Sequence, residues 1–362
     1  METGLRFCTA ADHKAVISVY AIHSKALLAW ARAPCYPHAM SDAATSIEVT
    51  APKSGPAKSA ARSNAVPKRR LKAPWQIWRD ASGRLSALRI VSLLFLTVPV
   101  MVAVYDFNTE GYGARPLNNV IHRTGYWALI FLMVSLAITP LRRIGRFGAL
   151  LDVRRMIGVG AFVYAGAHIL LYVADQMFDL RKVASEIVLR LYLTIGFVAL
   201  LGLTALAVTS TDGMVRRLGG RNWQRLHNVT YAVGLLALIH FFQQTKADVS
   251  LPTFVASLFG WMIGYRILIK FKTARGELPA WKLLALTVVI AALTFAVEAI
   301  GIGLVFNVSP LRVLGTAFDF DDLSMIRPGW LVLAAGLIVV GLDLVRQRFG
   351  PRRGPAGGAI RA

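Results

Sequence analysis

The stretch Leu226–His240 reads LHNVTYAVGLLALIH, an apolar run with a histidine near its start and another at its end. A second apolar run, 161–173, reads AFVYAGAHILLYV and contains His168. Ionisable side chains are costly inside a bilayer, and those found there usually bind or carry something. We therefore interpret His168, His227 and His240 as candidate metal ligands within membrane-spanning helices.

Composition supports a membrane protein. The chain has 362 residues, of which 56% are hydrophobic and only 17% are charged, yet its net charge is +22. A high apolar fraction with a strong charge bias is typical of a polytopic membrane protein. Nucleic-acid binding is the usual alternative for a basic chain, but here the arginines lie between long apolar runs and not along one basic face.

The apolar runs predict the fold. Eight of them are long enough, or nearly so, to cross ~30 Å of hydrocarbon at ~1.5 Å per residue. Because backbone groups in lipid must pair within their own segment, each run should be a helix. We predict an all-α polytopic membrane helix bundle of about eight transmembrane helices, near residues 87–105, 122–140, 156–174, 188–209, 226–243, 251–270, 281–305 and 328–345.

Charges in the connecting segments predict the orientation. The segments after the second, fourth and sixth runs, and the C-terminal tail, are rich in arginine and lysine, whereas the other connections carry aspartate or glutamate. Cytoplasmic loops carry the basic excess. Both termini are therefore expected in the cytoplasm.

The histidines can be placed by depth. His168 and His240 lie ~18 and ~20 Å from the cytoplasmic ends of their helices, so they share a level in the outer half of the membrane. Two neutral imidazoles on facing helices are typical of a six-coordinate haem b. His227 lies at the inner surface and does not share a helix face with His240. His122 begins a helix, where capping is its first expected role and assistance to the outer haem its second. For any single histidine the alternative is a hydrogen-bonded packing residue.

Other metal chemistries are limited by the cysteines. Cys8 and Cys35 are the two in the chain, and both precede the apolar body. Thiolate zinc sites, iron–sulfur clusters and cysteine-linked haem are therefore excluded from that body. A second, inner haem at His227 would find Arg154 and Arg155 at the matching depth of the third helix, not a histidine.

Two acidic residues lie inside the apolar runs. Glu298 and Asp343 are expected to be snorkelling or paired groups, Asp343 with Arg346 three residues on, and not proton carriers.

A combined motif resembles a known family. Its parts, in chain order, are Arg154-Arg155-x-x-Gly158, His168, Arg190-Leu-Tyr-Leu, Thr209-Ser210, Leu218-Gly219, Trp223-x-x-Leu226-His227-Asn228-x-x-Tyr231 and His240. They closely resemble MsrQ (formerly YedZ), the haem-binding membrane subunit of the bacterial periplasmic methionine-sulfoxide reductase system. MsrQ is one of the ferric-reductase-like transmembrane domains.

The resemblance implies a function. Such proteins lie in the inner membrane and carry haem b, with FMN also attributed to them. They take electrons from the quinone pool or a cytosolic flavin reductase and pass them to a periplasmic molybdopterin enzyme that reduces methionine sulfoxide in proteins. The family's haem histidines fall on His168, His227 and His240. Arg154 and Arg155 suit a flavin phosphate, and they suit lipid headgroups equally.

The resemblance also divides the chain. We expect a weakly ordered extension over 1–40, for which an upstream start codon is one explanation, and a basic disordered linker over 41–84. A six-helix ferric-reductase-like haem-binding domain over 85–272 is followed by two extra transmembrane helices over 273–346 and a basic cytoplasmic tail over 347–362.

Two alternative functions use the same histidines. A ferric reductase with another acceptor would usually carry an attached flavin–nicotinamide domain, and the C-terminal tail is too short to hold one. A histidine-dependent transporter would need polar residues between His227 and His240, where the sequence is mostly apolar. A purely structural anchor would leave the matched histidine depths unexplained.

Overall fold

The computed structural model describes residues 78–79, 83–109, 116–245, 249–271, 278–318 and 326–349. Most of the predicted N-terminal extension, linker and C-terminal tail, together with Cys8 and Cys35, lies outside these ranges.

Helices form the regular structure of the described residues. They are α1 (Ala87–Thr109), α2 (Pro116–Gly145), α3 (Leu150–Asp175), α4 (Leu180–Leu189), α5 (Leu191–Val208), α6 (Asp212–Leu218), α7 (Gly220–His227), α8 (Thr230–Gln244), α9 (Ser250–Lys270), α10 (Ala280–Phe306), α11 (Pro310–Gly315) and α12 (Pro328–Phe349), with a short 3₁₀ turn at Thr316–Phe318.

The predicted polytopic bundle is confirmed. Within the described ranges, seven helices are long and apolar enough to cross a membrane: α1, α2, α3, α5, α9, α10 and α12. The fifth predicted span, 226–243, corresponds to α8, which has only 15 residues. At ~1.5 Å per residue, α8 covers ~22 Å, less than the hydrocarbon thickness.

Two of the predicted runs are divided. The run 188–209 is interrupted at Arg190, whose backbone is extended and whose side chain pairs with Glu186 at 2.6 Å. The run 226–243 is interrupted after His227, where α7 ends before α8 begins at Thr230. His227 and His240 therefore lie on two consecutive helices and not on one regular helix, although Asn228 and Val229 between them keep α-helical backbone angles.

Helix α2 lies at the centre of the bundle. Half of its apolar window is buried, against 11% for α1. Phe131 and Leu136 of α2 are among the largest fully buried side chains, and they pack with Val153 of α3 and Val255 of α9. The other helices expose large apolar side chains, such as Val163, Leu170, Leu201 and Val297. Lipid tails are as apolar as leucine, so these faces suit contact with the bilayer.

A proline in α2 creates a contact between helices. Pro140 has no N–H, so the carbonyl of Leu136 lacks its usual helical donor. Nη2 of Arg266 donates to this carbonyl at 3.0 Å. The guanidinium also lies 4.6 Å from the centroid of the Tyr231 ring. Arg266 therefore ties α9 to both α2 and α8.

The two buried acids are paired, as the sequence predicts. Glu298 of α10 lies 3.2 Å from the guanidinium of Arg327, which precedes α12. Asp343 lies 2.9 Å from Arg346, three residues on. Pairing explains how these carboxylates are accommodated inside apolar helices.

Candidate functional site

A large cavity lies between the two facing histidines. It has a volume of about 540 Å³ and is bounded mainly by α2, α3, α5 and α8. His168 of α3 and His240 of α8 enter it from opposite walls, with their ring centroids 6.4 Å apart and their planes at 78°. We call this space the paired-histidine cavity.

Both rings are held in the same way. Nδ1 of His168 lies 2.8 Å from the carbonyl oxygen of Ile121, and Nδ1 of His240 lies 2.7 Å from the carbonyl oxygen of Tyr192. A carbonyl can only accept, so each Nδ1 carries the proton and donates it. Each Nε2 is therefore left with its lone pair, which is the form of imidazole that binds metals.

The separation of the rings fits one shared metal ion. Nitrogen–metal bonds of about 2.0 Å, with each ring centroid about 1.1 Å further from the metal, would put the centroids of two opposed rings about 6.2 Å apart. The observed separation is 6.4 Å. Among the residues whose placement is described, no group of three or more histidine, cysteine or acidic side chains could hold a metal. An ion between these two imidazoles would therefore take its other ligands from elsewhere, as iron does in haem.

Polar side chains line one end of the cavity. His122 is expected from the sequence to begin and cap a helix, but α2 begins at Pro116, so His122 lies inside the helix and the expectation is wrong. It lines this wall with Asn118, and its side chain is exposed. Arg123, beside it, pairs with Asp106 of α1. The lining also includes the polar side chains of Tyr126, Tyr172, Asp175, Tyr192, Gln244 and Thr245.

His227 lies in a different cavity. This second cavity, of about 280 Å³, is lined by Arg154, Arg155, Ser210, Trp223, His227 and Thr230 among others, and we call it the arginine cavity. The His227 ring stacks on Trp223 with centroids 3.8 Å apart. Its Nδ1 lies 3.1 Å from the Trp223 carbonyl oxygen and its Nε2 3.3 Å from the Ser210 hydroxyl. Both ring nitrogens are thus in hydrogen-bond contact within the protein.

The two arginines of this cavity differ in their pairing. Arg155 pairs with Asp212, the first residue of α6. The hydrogen bond from Arg155 holds the pKa of the Asp212 carboxyl below its usual value, and the guanidinium charge adds to the effect. Arg154 makes no hydrogen bond or ion pair within the described part of the chain. Its charge is therefore available to an anionic ligand in this cavity.

A thin layer of side chains separates the two cavities. Leu132 of α2 and Leu203 of α5 line both of them. A group in one cavity would therefore face a group in the other across these two leucines.

Comparison with known proteins connects this geometry with a family. The family described as "Ferric reductase like transmembrane component" matches residues 124–238. The chain is 42% identical over 176 residues to the "Protein-methionine-sulfoxide reductase heme-binding subunit MsrQ" of Xanthomonas euvesicatoria pv. vesicatoria (strain 85-10), covering 48% of this chain and 79% of the relative. It is also 42% identical over 204 residues to the MsrQ subunit of Rhodospirillum rubrum, covering 56% of this chain and 96% of the relative.

The chain belongs to the MsrQ family. The resemblance found in the sequence motif is thereby confirmed. The family and the seven apolar helices also support a multi-pass membrane protein with a role in electron transfer. No solved structure matches the chain.

The structure of this MsrQ-family chain brings together two of the three predicted histidines. His168 and His240 share one cavity, whereas His227 lies with Arg154 and Arg155 in the other. The assignment of these five residues as cofactor ligands stays a prediction.

Sequence reasoning missed the residues that hold the rings, namely Ile121, Tyr192, Gly125 and Gly196. Ile121 and Tyr192 contribute their backbone carbonyls, and Gly125 and Gly196 contribute by having no side chain. The chemical type of a residue indicates neither contribution. The sequence carries no signal for these contacts, which depend on the packing of α2 on α3 and of α5 on α8.

Proposed function

We propose that this chain is a membrane electron-transfer subunit that binds haem b between His168 and His240. The observation that carries the proposal is the pair of imidazoles, 6.4 Å apart, with each Nδ1 bonded to a backbone carbonyl. The relatives from Xanthomonas and Rhodospirillum are named heme-binding subunits, which supports this ligand. Haem, when bound, supplies one-electron chemistry, and the protein sets its potential through ligands, burial and hydrogen bonds.

The residues around the pair have separate tasks. His168 and His240 hold the metal, and the two backbone carbonyls fix the tautomer and the ring orientation. The apolar wall formed by residues such as Ala128, Leu129 and Val233 keeps water from the centre of the cavity. The polar end, with His122 and Arg123, suits the carboxylates of a porphyrin.

Electrons enter, in this proposal, at the arginine cavity. The basic segments after α2 and around α6 and α7 favour a cytoplasmic location for that end of the bundle, with both termini in the cytoplasm. The donor is the quinone pool or a cytosolic flavin reductase. Arg154, which makes no hydrogen bond or ion pair with another described residue, suits the phosphate of FMN, and Trp223 and His227 offer aromatic surfaces beside it. Leu132 and Leu203, which line both cavities, offer a short path for transfer to the other one.

Electrons leave at the paired-histidine end, which this orientation places at the outer face of a bacterial inner membrane. The acceptor is a periplasmic molybdopterin reductase that repairs methionine sulfoxide in proteins. The relatives' name, which refers to protein-methionine-sulfoxide reductase, supports this partner. In this proposal the sulfoxide is reduced in the partner, and the name of the relatives, heme-binding subunits of the reductase, supports this division of tasks.

Proteoliposomes test the direction and the acceptor. The purified protein is inserted in one orientation, haem oxidation is followed at the Soret band, and quinol or reduced flavin is supplied at the face that carries the arginine cavity. We expect reduction from that face, and reoxidation when the oxidised periplasmic enzyme and a methionine-sulfoxide peptide are added to the other. Reoxidation by a ferric chelate but not by the enzyme would favour a ferric reductase. A protein that binds no haem when haem is ample would contradict the proposal.

A further inference from the structure

His168 and His240 are held by the same arrangement of residues, although the two sets of residues lie far apart in the chain. In each site one helix provides a backbone carbonyl and, four residues later, a glycine, and a neighbouring helix provides the histidine. Helix α2 carries Ile121 and Gly125 against His168, and α5 carries Tyr192 and Gly196 against His240. We propose that Gly125 and Gly196 are a matched pair of positioning residues that set both rings for metal binding, an inference that rests on the proposed function.

The first argument is steric. A Cβ added at Gly125 would lie 2.9 Å from both Cε1 and Nδ1 of His168, and a Cβ added at Gly196 would lie 2.8 Å from the same two atoms of His240. Such distances are shorter than carbon atoms in contact tolerate. Each ring is already held at its Nδ1, so it cannot retreat without lengthening that hydrogen bond.

The second argument concerns the carbonyl. In a helix the carbonyl of residue i points at residue i+4, whose N–H it accepts. A carbonyl oxygen has two lone pairs, so it can accept a further donor if the space beside it is open. Glycine at position i+4 leaves that space open. The imidazole Nδ1 of His168 reaches the Ile121 carbonyl across Gly125, and that of His240 reaches the Tyr192 carbonyl across Gly196, at 2.8 and 2.7 Å.

The third argument is the sequence around the two glycines. Gly125-Tyr-Trp-Ala-Leu129 and Gly196-Phe-Val-Ala-Leu200 share the pattern glycine, aromatic, any residue, alanine, leucine. The histidines follow their glycines by nearly equal numbers of residues. The two sites therefore behave as two copies of one helix-pair unit, and an equal role for the two glycines follows from that equivalence.

The expected effect is on the haem and not only on the fold. A hydrogen bond from Nδ1 raises the basicity of the ligating nitrogen and fixes the ring orientation. Displacing the ring weakens both effects. Gly125→Ala and Gly196→Ala should each lower the haem retained per protein several-fold. Any haem that remains should have a higher midpoint potential, because a less basic ligand favours the ferric state less.

The matched control is Gly166→Ala, on α3 two residues before His168, where an added Cβ would meet nothing within 4 Å. It should retain the haem content and the potential of the wild type. If the two test variants match this control in both measurements, the positioning role is refuted. A wild-type protein that stays colourless would instead refute the proposed function, and the two failures are thus distinguishable.

A double-mutant cycle of unfolding temperatures tests the same proposal if the glycine variants fold poorly. If the added methyl collides with the imidazole, Gly125→Ala should lower the unfolding temperature in the wild-type background and not in the His168→Ala background, and Gly196→Ala should behave likewise with His240→Ala. The cycle needs no haem. Equal losses in both backgrounds would show that the methyl collides with something else, which would overturn the proposal.

Discussion

The contact of Arg266 with α2 predicts a measurable coupling between two residues. Pro140 frees the Leu136 carbonyl, and Arg266 of α9 donates to it at 3.0 Å. Arg266→Met keeps the apolar stem of the side chain but removes this donor and the contact with Tyr231. Pro140→Ala restores a backbone N–H to the Leu136 carbonyl. The loss caused by Arg266→Met should therefore be smaller when Pro140 has already been replaced.

The magnitude follows from the contacts. A hydrogen bond from a charged donor contributes about 1.5–3 kcal/mol, and a cation over an aromatic ring adds about 0.5–2 kcal/mol. One guanidinium nitrogen, Nη1 of Arg266, is buried without a partner among the described atoms, which offsets part of this gain at about 1–3 kcal/mol. The net loss for Arg266→Met should be about 2 kcal/mol. The coupling with Pro140 should be about 1 kcal/mol, because a carbonyl with two lone pairs can still accept a second donor.

The assay is a double-mutant cycle on reversible unfolding in mixed micelles. It uses the wild type, each single variant and the double variant, and it compares the free energies of unfolding. Since the two residues lie on different helices, a coupling arises only if they meet through the Leu136 carbonyl. Additive losses, with a coupling below about 0.3 kcal/mol, would refute the reasoning.

Three further results are expected. Arg327→Met should lower the free energy of unfolding by about 1–3 kcal/mol in the same assay, because it removes the guanidinium that lies beside the buried Glu298 carboxylate. Glu298→Gln in that background should recover part of the loss, and no loss at all would contradict the pairing. The hydrogen bond and charge of Arg155 hold the pKa of Asp212 below its usual value, so the ion pair should stabilise the protein above the ordinary carboxyl pKa and lose this effect as the pH falls through the lowered pKa. Because the pair is exposed, Asp212→Asn should cost less than about 1 kcal/mol at neutral pH and nothing in acid, as measured by thermal unfolding across pH. His227→Ala should keep the Soret band of the haem bound in the paired-histidine cavity, since His227 lies in the other cavity, and loss of all haem absorbance would contradict that placement.

The spans could be predicted because the bilayer fixes the length of an apolar helix. The predicted run 251–270 corresponds closely to α9, and 281–305 to α10. The breaks at Arg190 and after His227 could not be predicted, because they accompany contacts with other residues. Arg190 bonds to Glu186 and to the Tyr192 hydroxyl, and the His227 ring contacts the hydroxyl of Ser210, which lies between α5 and α6. An apolar pattern contains no signal for such contacts.

Only part of the candidate site could likewise be predicted from the sequence. Helical rise and orientation placed His168 and His240 at one depth, and the structure brings them together. Their sequence positions could not reveal the carbonyls that hold the rings, since every residue has a carbonyl. Gly125 and Gly196 read as ordinary glycines in membrane helices until the neighbouring ring is known. The sequence could place the histidines, but the features that orient them emerge only from the packing of α2 on α3 and α5 on α8.

The central claim is that one haem iron is bound by His168 and His240 together. Electron paramagnetic resonance of the oxidised, purified protein tests it most directly, because a ferric iron with two imidazole ligands is low-spin. We predict a low-spin signal in the wild type that disappears in His168→Ala and equally in His240→Ala, and that persists in Gly166→Ala. A low-spin signal that survives either histidine replacement, or a high-spin signal in the wild type, would contradict the account.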